Sequence, residues 1–570
     1  MPPRQPNVLE QLNHRMGLTK DELDELAAKT VFVDCLRPEA LHKTGMLAFL
    51  QALRQPNSSY KPPSRSTILE AWLPRIYEDV RKKVLDEVIA PASMLNVIFD
   101  ASDDASGHRQ VNISIATPEY PAVFWTLVDT GSTRHAAPQM ADIVRDKIQE
   151  LVDDGMRQDW SRINAFISDT CSTAIATCRE LTQRPGLEHA FSVFCDSHGL
   201  QLLVKDLFNQ PGILKERFQK CMSVVGVFTT SPLQLARLRD EQLRLYGKTR
   251  AIATGSFTRW GSHLRALESL MESKDALKTY AVTIRTMQTQ GQLDRNEFNS
   301  LRILIGHLIS SEFWMHLEGL IDILKPISEA IKMSEADRST IGYVAKRWMG
   351  IKDDWRTTEL LIQDVDWPDI HRRHELRMNR QVTDINWLAY ALNPTLFRLT
   401  DQQKATASQQ IRLLASDPDM QLKCQVEFLE FRVKSNRFHA NRTEWSADVG
   451  ARLFWMSFLD DGSKLAVIAC RVFGCIANSV PAERAFSSMN FIENKLSSRL
   501  TSDKLNMWAF IYINSRVLKR LEEQKNSPNP RFYDENGSVG DEIEDQEETD
   551  GLMEQFLMAG AQGLTVAVEN

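Results

Sequence analysis

Three acidic residues stand where they could do chemistry. Asp100 ends the short apolar run Met94–Phe99, Asp169 follows the run Ile163–Ile167, and Glu483 lies at the start of an apolar helix within Asn478-Ser-Val-Pro-Ala-Glu-Arg-Ala-Phe-Ser487. Carboxylates on three separate elements are the donor set of a two-metal phosphoryl-transfer site. Their hard oxygens suit Mg²⁺ or Mn²⁺, and like charges held close need a cation between them. Each residue also has an ordinary reading. Asp100, with Asp103 and Asp104 behind it, is a turn former. Asp169 is a preferred helix N-cap type. Glu483 in a first helical turn complements the helix dipole, although Val480 stands where a capping box would need Ser or Thr. Arg484 is a partner for a carboxylate or a DNA phosphate, or one half of a surface ion pair.

Two further groups carry chemical potential. Cys195 and His198 lie one helical turn apart, but zinc needs two more ligands, and the spacings to Cys171, Cys178 and His189 match no common zinc module. A histidine beside a metal site, or a buried cysteine with a hydrogen-bonded histidine, are the alternatives. Arg259 and Trp260 sit beside small residues; a tryptophan there is either core or a platform on which an unpaired base stacks. The most basic local segment, His371–Arg380, reads as a loop or a helix start.

The elements that must position these residues follow from periodicity. Met94–Phe99, Gln110–Ile115, Val123–Val128, Ile163–Ile167 and Phe191–Phe194 read as strands. Helices are expected over Met140–Val152, with Gly155 as a C-cap, and over Thr173–Leu181. The order β-β-β-α-β-α-β predicts an α/β fold with a mixed sheet and helices on both faces. Strands one and four as neighbours would set Asp100 beside Asp169. Residues 1–90 read as helical, with a break at Gln55–Arg65 and a kink or stop at Pro74. From about 199 to 441 only helical periodicity is found, which reads as an all-helical insertion.

Composition sets the outer bounds. The 570 residues are 43% hydrophobic and 25% charged, a globular balance spread over several domains. Net charge is −7, yet eleven acidic residues and no Lys or Arg lie between Asp534 and Asn570, so the remainder carries about +4. A mildly basic body fits a nucleic-acid partner, and Asp534–Met553 reads as a disordered acidic tail. The eight cysteines include no Cys-x-x-Cys pair and imply reduced thiols. The N-terminus carries no secretory signal, and no apolar run is long enough for a membrane partner.

Several blocks, in order, resemble the hAT family of transposases. They are Tyr60-Lys-Pro-Pro-Ser-Arg65; Asp100 with Asp104, Gly107 and Asn112; Ser168-Asp-Thr-Cys-Ser-Thr173 followed by Cys195 and His198; Thr258-Arg-Trp260; Leu388-Ala-Tyr-Ala-Leu-Asn-Pro394; and Ser479–Ser487 with Arg499-Leu500 and Phe510-Ile-Tyr-Ile-Asn514. The resemblance covers about 31–516. It implies an RNase H-like mixed-sheet core interrupted by a large helical insertion. The boundaries are then a helical N-terminal segment 1–90, core 91–198, insertion 199–443, core completion and dimerisation region 444–516, and an acidic tail 517–570. It implies Asp100, Asp169 and Glu483 as catalytic ligands of two Mg²⁺ or Mn²⁺ ions, supported by Cys195, His198 and Arg484. Arg259, Trp260, Lys495 and Arg499 would contact DNA, and Trp455, Leu465, Phe473 and Phe486 would supply a homodimer surface. The expected location is the nucleus. The chain departs from the family pattern with Ala101-Ser102 in place of Gly-Trp, and with no Cys/His zinc finger ahead of residue 60, which points to truncation or lost DNA recognition. The alternative expectation is a catalytically inactive, dimerising DNA- or chromatin-binding descendant.

Overall fold

The computed structural model describes residues 20–43, 46, 61–103, 109–131, 133, 136–156, 158–254, 260–336, 339–396, 398–438, 450–496 and 500–525. They form two compact units. One holds the residues up to Cys195, those from Ala466 onward and the short piece Leu414–Ser416; the other holds the rest of Asp196–Leu465. The fold is mixed α/β. Among the described residues no helix is long and apolar enough to cross a membrane.

The first unit is built on five strands: β1 (Leu95–Asp103), β2 (Arg109–Ala116), β3 (Val123–Asp129), β4 (Ile163–Ser168) and β5 (Phe191–Phe194). Their spatial order is β3-β2-β1-β4-β5. The hairpin-linked β1, β2 and β3 pair antiparallel, whereas β4 joins β1, and β5 joins β4, in parallel. The parallel pairings use the helices Ala137–Gly155 and Ser172–Thr182 as crossovers, as parallel strands require. Two details differ from the sequence reading. β1 continues past Asp100 to Asp103, because β2 still offers partners there. Gly155 is the last helical residue and Met156 is the cap.

Alternation sorts the side chains by face. The pairs Asn96–Ala116, Ile98–Ser114, Asp100–Asn112 and Ile98–Ile167 put Asn96, Ile98, Asp100 and Asn112 on one face. The opposite face carries Val97, Phe99, Val111, Ile113, Ile115 and Phe166, buried in one core with Met140, Val144, Ile148 and Leu151 of the first crossover helix.

The polar face receives the returning chain. Buried asparagine amides hold its carbonyls: Asn96 Nδ2 donates to Gly474 O (2.8 Å), Asn164 Nδ2 to Arg471 O (2.9 Å) and Asn112 Nδ2 to Ala482 O (2.8 Å). The approach is close enough that a Cβ on Gly474 would stand 2.2 Å from Met94 Sδ and 3.0 Å from Cys470 O, so a larger residue would force the Met94 side chain to move. The helices Val480–Leu496 and Ser502–Lys525 follow. The latter covers the outer edge of β3. Asn514 Oδ1 accepts from Phe124 N (2.9 Å) while its Nδ2 donates to Phe124 O (2.8 Å), and Asn506 Oδ1 accepts from Leu127 N (2.8 Å). An open edge is thereby paired rather than exposed.

Other expectations need correction. Pro74 does not break its helix. A π-helical stretch, Ile68–Trp72, precedes it, with Leu73 N bonded to Ile68 O, and the wider turn accommodates the ring. The acidic tail does not begin at 517, because Val517 and Leu521 are buried on the helix that runs to Lys525. Residues 526–570, including Asp534–Met553, lie outside the described residues.

The second unit is helical among its described residues. Its 25-residue helix Ser311–Glu335 buries Trp314, Leu317, Leu320, Ile323, Leu324 and Ile327. The basic segment His371–Arg380 lies in the body of the helix Trp367–Gln381, not in a loop. Three of its four arginines are partnered within the unit: Arg372 and Arg373 with Asp369, and Arg377 with Asp206. Trp455 and Leu465, expected on a dimer surface, are fully buried here, and Trp455 Nε1 donates to Leu392 O (2.9 Å). In the first unit Phe473 is likewise buried, and Phe486 is half-buried against the sheet core. These apolar side chains are spent on the chain's own interior.

Replacing Asn514 by alanine strips both main-chain partners from the buried Phe124. The expected loss is about 2 kcal/mol or more, measured by urea denaturation; an unchanged midpoint would show that the β3 edge does not depend on this amide.

Candidate active site

Parallel pairing of β1 with β4 brings two of the three acidic residues together. The parallel register reaches Ile98–Ile167, and two residues further along the chain on each side stand Asp100 and, just past the end of β4, Asp169. They sit at the carboxyl end of the parallel pair, where ligands of open α/β sheets gather. Asp100 Oδ1 accepts from Ala101 N (2.9 Å). Asp169 Oδ1 accepts from Cys171 N (3.1 Å), and the N-cap of the following helix is Cys171, whose sulfur accepts from Ala174 N. Asp169 is therefore not the helix cap, and its ordinary reading is set aside.

Electrostatics carry the mark of the apposition. Burial, and then the charge of Asp169, push the Asp100 carboxyl up from 3.8 to about 6; the opposing influence is the Ala101 N–H, not a lysine or arginine. Two oxygen donors in one half-buried place, held at electrostatic cost, match the donor chemistry of a hard divalent cation. Asp100 and Asp169 would hold such an ion.

Glu483 arrives on the helix Val480–Leu496. Asn112 is the cross-strand partner of Asp100, and its amide grips Ala482 O, one residue before Glu483. The same helix start is fixed a second time, since Cys195 Sγ accepts from Ser479 N (3.2 Å) while Cys195 N donates to Ser168 O (2.8 Å). Glu483 itself is exposed, and Arg484 beside it is half-buried. Among the described residues no three His, Cys, Asp or Glu side chains close into one metal-holding group. The structure thus joins Asp100 to Asp169 and brings the backbone of Glu483 to the same sheet face without closing the three side chains together.

Of the remaining candidates, Cys195 lies at this helix start, where its sulfur accepts the Ser479 N–H. His198 is half-buried on the helix Asp196–Phe208 of the second unit. Trp260 begins the helix Trp260–Glu272, and Lys495 lies on Val480–Leu496, but both side chains, together with Arg259 and Arg499, are outside the described residues.

Sequence reasoning passed over Asn96 and Asn164. Both sit inside apolar runs, and an uncharged amide at such a position was the available signal, since a buried amide must find partners. It also passed over Asp196, fully buried in the second unit, which accepts from Arg347 Nε (2.8 Å) and Trp348 Nε1 (2.8 Å). No local pattern marks that pairing across about 150 residues.

Comparison with models of protein families gives no match to this chain, and comparison with curated proteins gives none either.

The raised Asp100 carboxyl has a direct consequence for stability. Between about 4 and 6 the folded chain holds a proton that the unfolded chain has released. In the absence of divalent cations, stability contributed by this group is therefore greatest below about pH 4 and falls as pH rises through 6, by about 2–3 kcal/mol in all. Thermal denaturation across this range in chelator should show the fall in the wild type and a flatter profile in Asp100→Asn, with Mg²⁺ or Mn²⁺ reversing the fall only in the wild type. Parallel profiles for the two proteins would remove Asp100 as its source. Separately, Asn112→Ala should cost about 1–3 kcal/mol in urea denaturation by orphaning the Ala482 carbonyl; a smaller effect would mean that the Cys195 contact alone holds the helix start.

Proposed function

We propose that this chain is a hAT-type DNA transposase-like protein, with an RNase H-like sheet unit interrupted in sequence by a helical one, that cleaves and transfers DNA strands. The observation that carries the reading is the apposition of Asp100 and Asp169 at the carboxyl end of the parallel β1–β4 pair, on the face to which Asn112 draws the start of the Glu483 helix. Two bound Mg²⁺ or Mn²⁺ ions would supply activation of the attacking oxygen and stabilisation of the leaving one. The chain's own part is to present Asp100 and Asp169 from rigid strand ends, to bring Glu483 in on a helix anchored at Ala482 and Ser479, and to offer Arg484 for a phosphate. DNA is the partner on this reading, Arg259, Trp260, Lys495 and Arg499 are its contacts, and the nucleus is where the chain would act.

The exposure of Glu483, and the absence of a closed three-ligand group among the described residues, favour a second reading. On it the chain is a non-catalytic DNA- or chromatin-binding descendant of such an enzyme.

Mn²⁺-dependent nicking of a plasmid carrying the gene's own flanking DNA separates the two. The first reading expects cleavage by the wild type and a loss of at least about a hundredfold in both Asp169→Asn and Glu483→Gln, each still folded by circular dichroism. DNA binding without cleavage by folded wild-type protein would select the second reading.

A further inference from the structure

The helix Pro418–Arg432 of the second unit is apolar on two opposite sides. Its inner side buries Cys424, Phe428 and Phe431, and the Phe431 ring packs on Phe438, Phe454 and Trp455 at centroid distances of 5.7, 6.2 and 4.9 Å. Its outer side carries Leu422, Val426 and Leu429, continued by the C-cap residue Val433, and these are 67, 47, 64 and 70% exposed. The intervals of four, three and four residues are those of a coiled-coil seam rather than of scattered surface residues. Burying one side of a helix while leaving an apolar seam on the other is costly in water unless that seam meets a partner.

The seam is complementary to itself. If a second copy of the helix lies antiparallel across a twofold axis passing between Val426 and Leu429, Leu422 meets Val433 of the second copy and Val426 meets its Leu429. The four apolar residues then form four closed layers. On one flank this register sets Lys423 against Glu430 of the second copy, and the axis repeats the pair in reverse. On the other flank Gln425 and Arg432 stay with the chain's own carbonyls, at Ser408 and at Ala391 and Leu396. Parallel pairing in register would instead align each of the four seam residues with itself and would bring neither charge to its opposite. Among the described residues Lys423 and Glu430 bond to Asp419 (2.6 Å) in the same helix and to Asn436 (2.5 Å) in the turn that follows it, and both of those links lie at the surface. They can be exchanged for the cross-copy pair.

We propose that this outer seam is an isologous interface through which two copies of the chain associate as an antiparallel helix pair. The interface is distinct from the region around Trp455, Leu465 and Phe473, whose apolar side chains are buried, and it does not depend on the reading of the two aspartates.

Sedimentation equilibrium of the full chain at micromolar concentration tests it. The wild type should self-associate, and Leu429→Asp should weaken association at least about a hundredfold with an unchanged melting temperature, since the side chain is exposed. Lys423→Glu and Glu430→Lys should each weaken association about three- to tenfold, whereas the double exchange restores it. Lys423→Gln, which loses the link to Asp419 without adding repulsion, should lie between wild type and Lys423→Glu. A monomeric wild type, an association constant indifferent to Leu429→Asp, or a double exchange no better than its single parents would each overturn the proposal.

Discussion

Everything at the candidate site depends on buried amides that hold a distant part of the chain. Asn96, Asn112 and Asn164 lie on strands near the middle of the sheet, and the carbonyls they bind, at Gly474, Ala482 and Arg471, come 378, 370 and 307 residues later. A buried amide without a partner costs as much as a substantial fraction of the net stability of a domain, so these contacts act as a requirement as well as an attraction. The returning segment must dock with its carbonyls turned toward the sheet. Gly474 allows that approach, and Cys195 fixes the next helix start by taking the Ser479 N–H. The position of the Glu483 backbone is set by these contacts rather than by anything in the helix that carries it.

The two aspartates illustrate the opposite economy. Most buried polar groups in this unit are satisfied, but Asp100 is placed where burial and the neighbouring charge of Asp169 raise the cost of its ionisation. Local strand preferences would tolerate many residues at the end of β4. What makes the pair unusual is that strands from different parts of the chain arrive in register with the same residue type at equivalent positions. An ion-pair network can also perturb a carboxyl, but here the neighbouring charge has the same sign, which is the arrangement a cation relieves.

The apolar residues tell a related story about surfaces. Trp455, Leu465 and Phe473 belong to compact apolar patterning that could serve either an interface or an interior, and in the folded chain they are interior. The residues that do form an exposed apolar seam, Leu422 to Val433, share a helix with an equally apolar inner face. Their periodicity is blurred when the helix is taken as a whole, because the two stripes lie on opposite sides. Only burial separates the stripe used by the chain itself from the one left over.

Some of this was legible without a structure. Alternating and continuous apolar runs marked all five strands, because a half-buried or buried strand must repeat every two residues or be apolar throughout. The switch to 3.6-residue periodicity marked the helical stretch after Cys195. Asp100 and Asp169 stood out because strand ends beyond a parallel pair are where polar side chains leave the core. What the linear chain could not show was which apolar residue faces inward, that the asparagines within apolar runs are fasteners, or that Pro74 is absorbed by a π turn. Nor could it show that Cys195 serves a backbone N–H. Each of these depends on a contact between residues far apart in sequence, and only the tertiary structure decides such contacts, since neither propensity nor periodicity carries information about them. The sequence by itself determined the elements and the types of residue at their ends. The packing decided that Asp100 and Asp169 meet, that the backbone of Glu483 is drawn to their face, and that three expected surface residues are core.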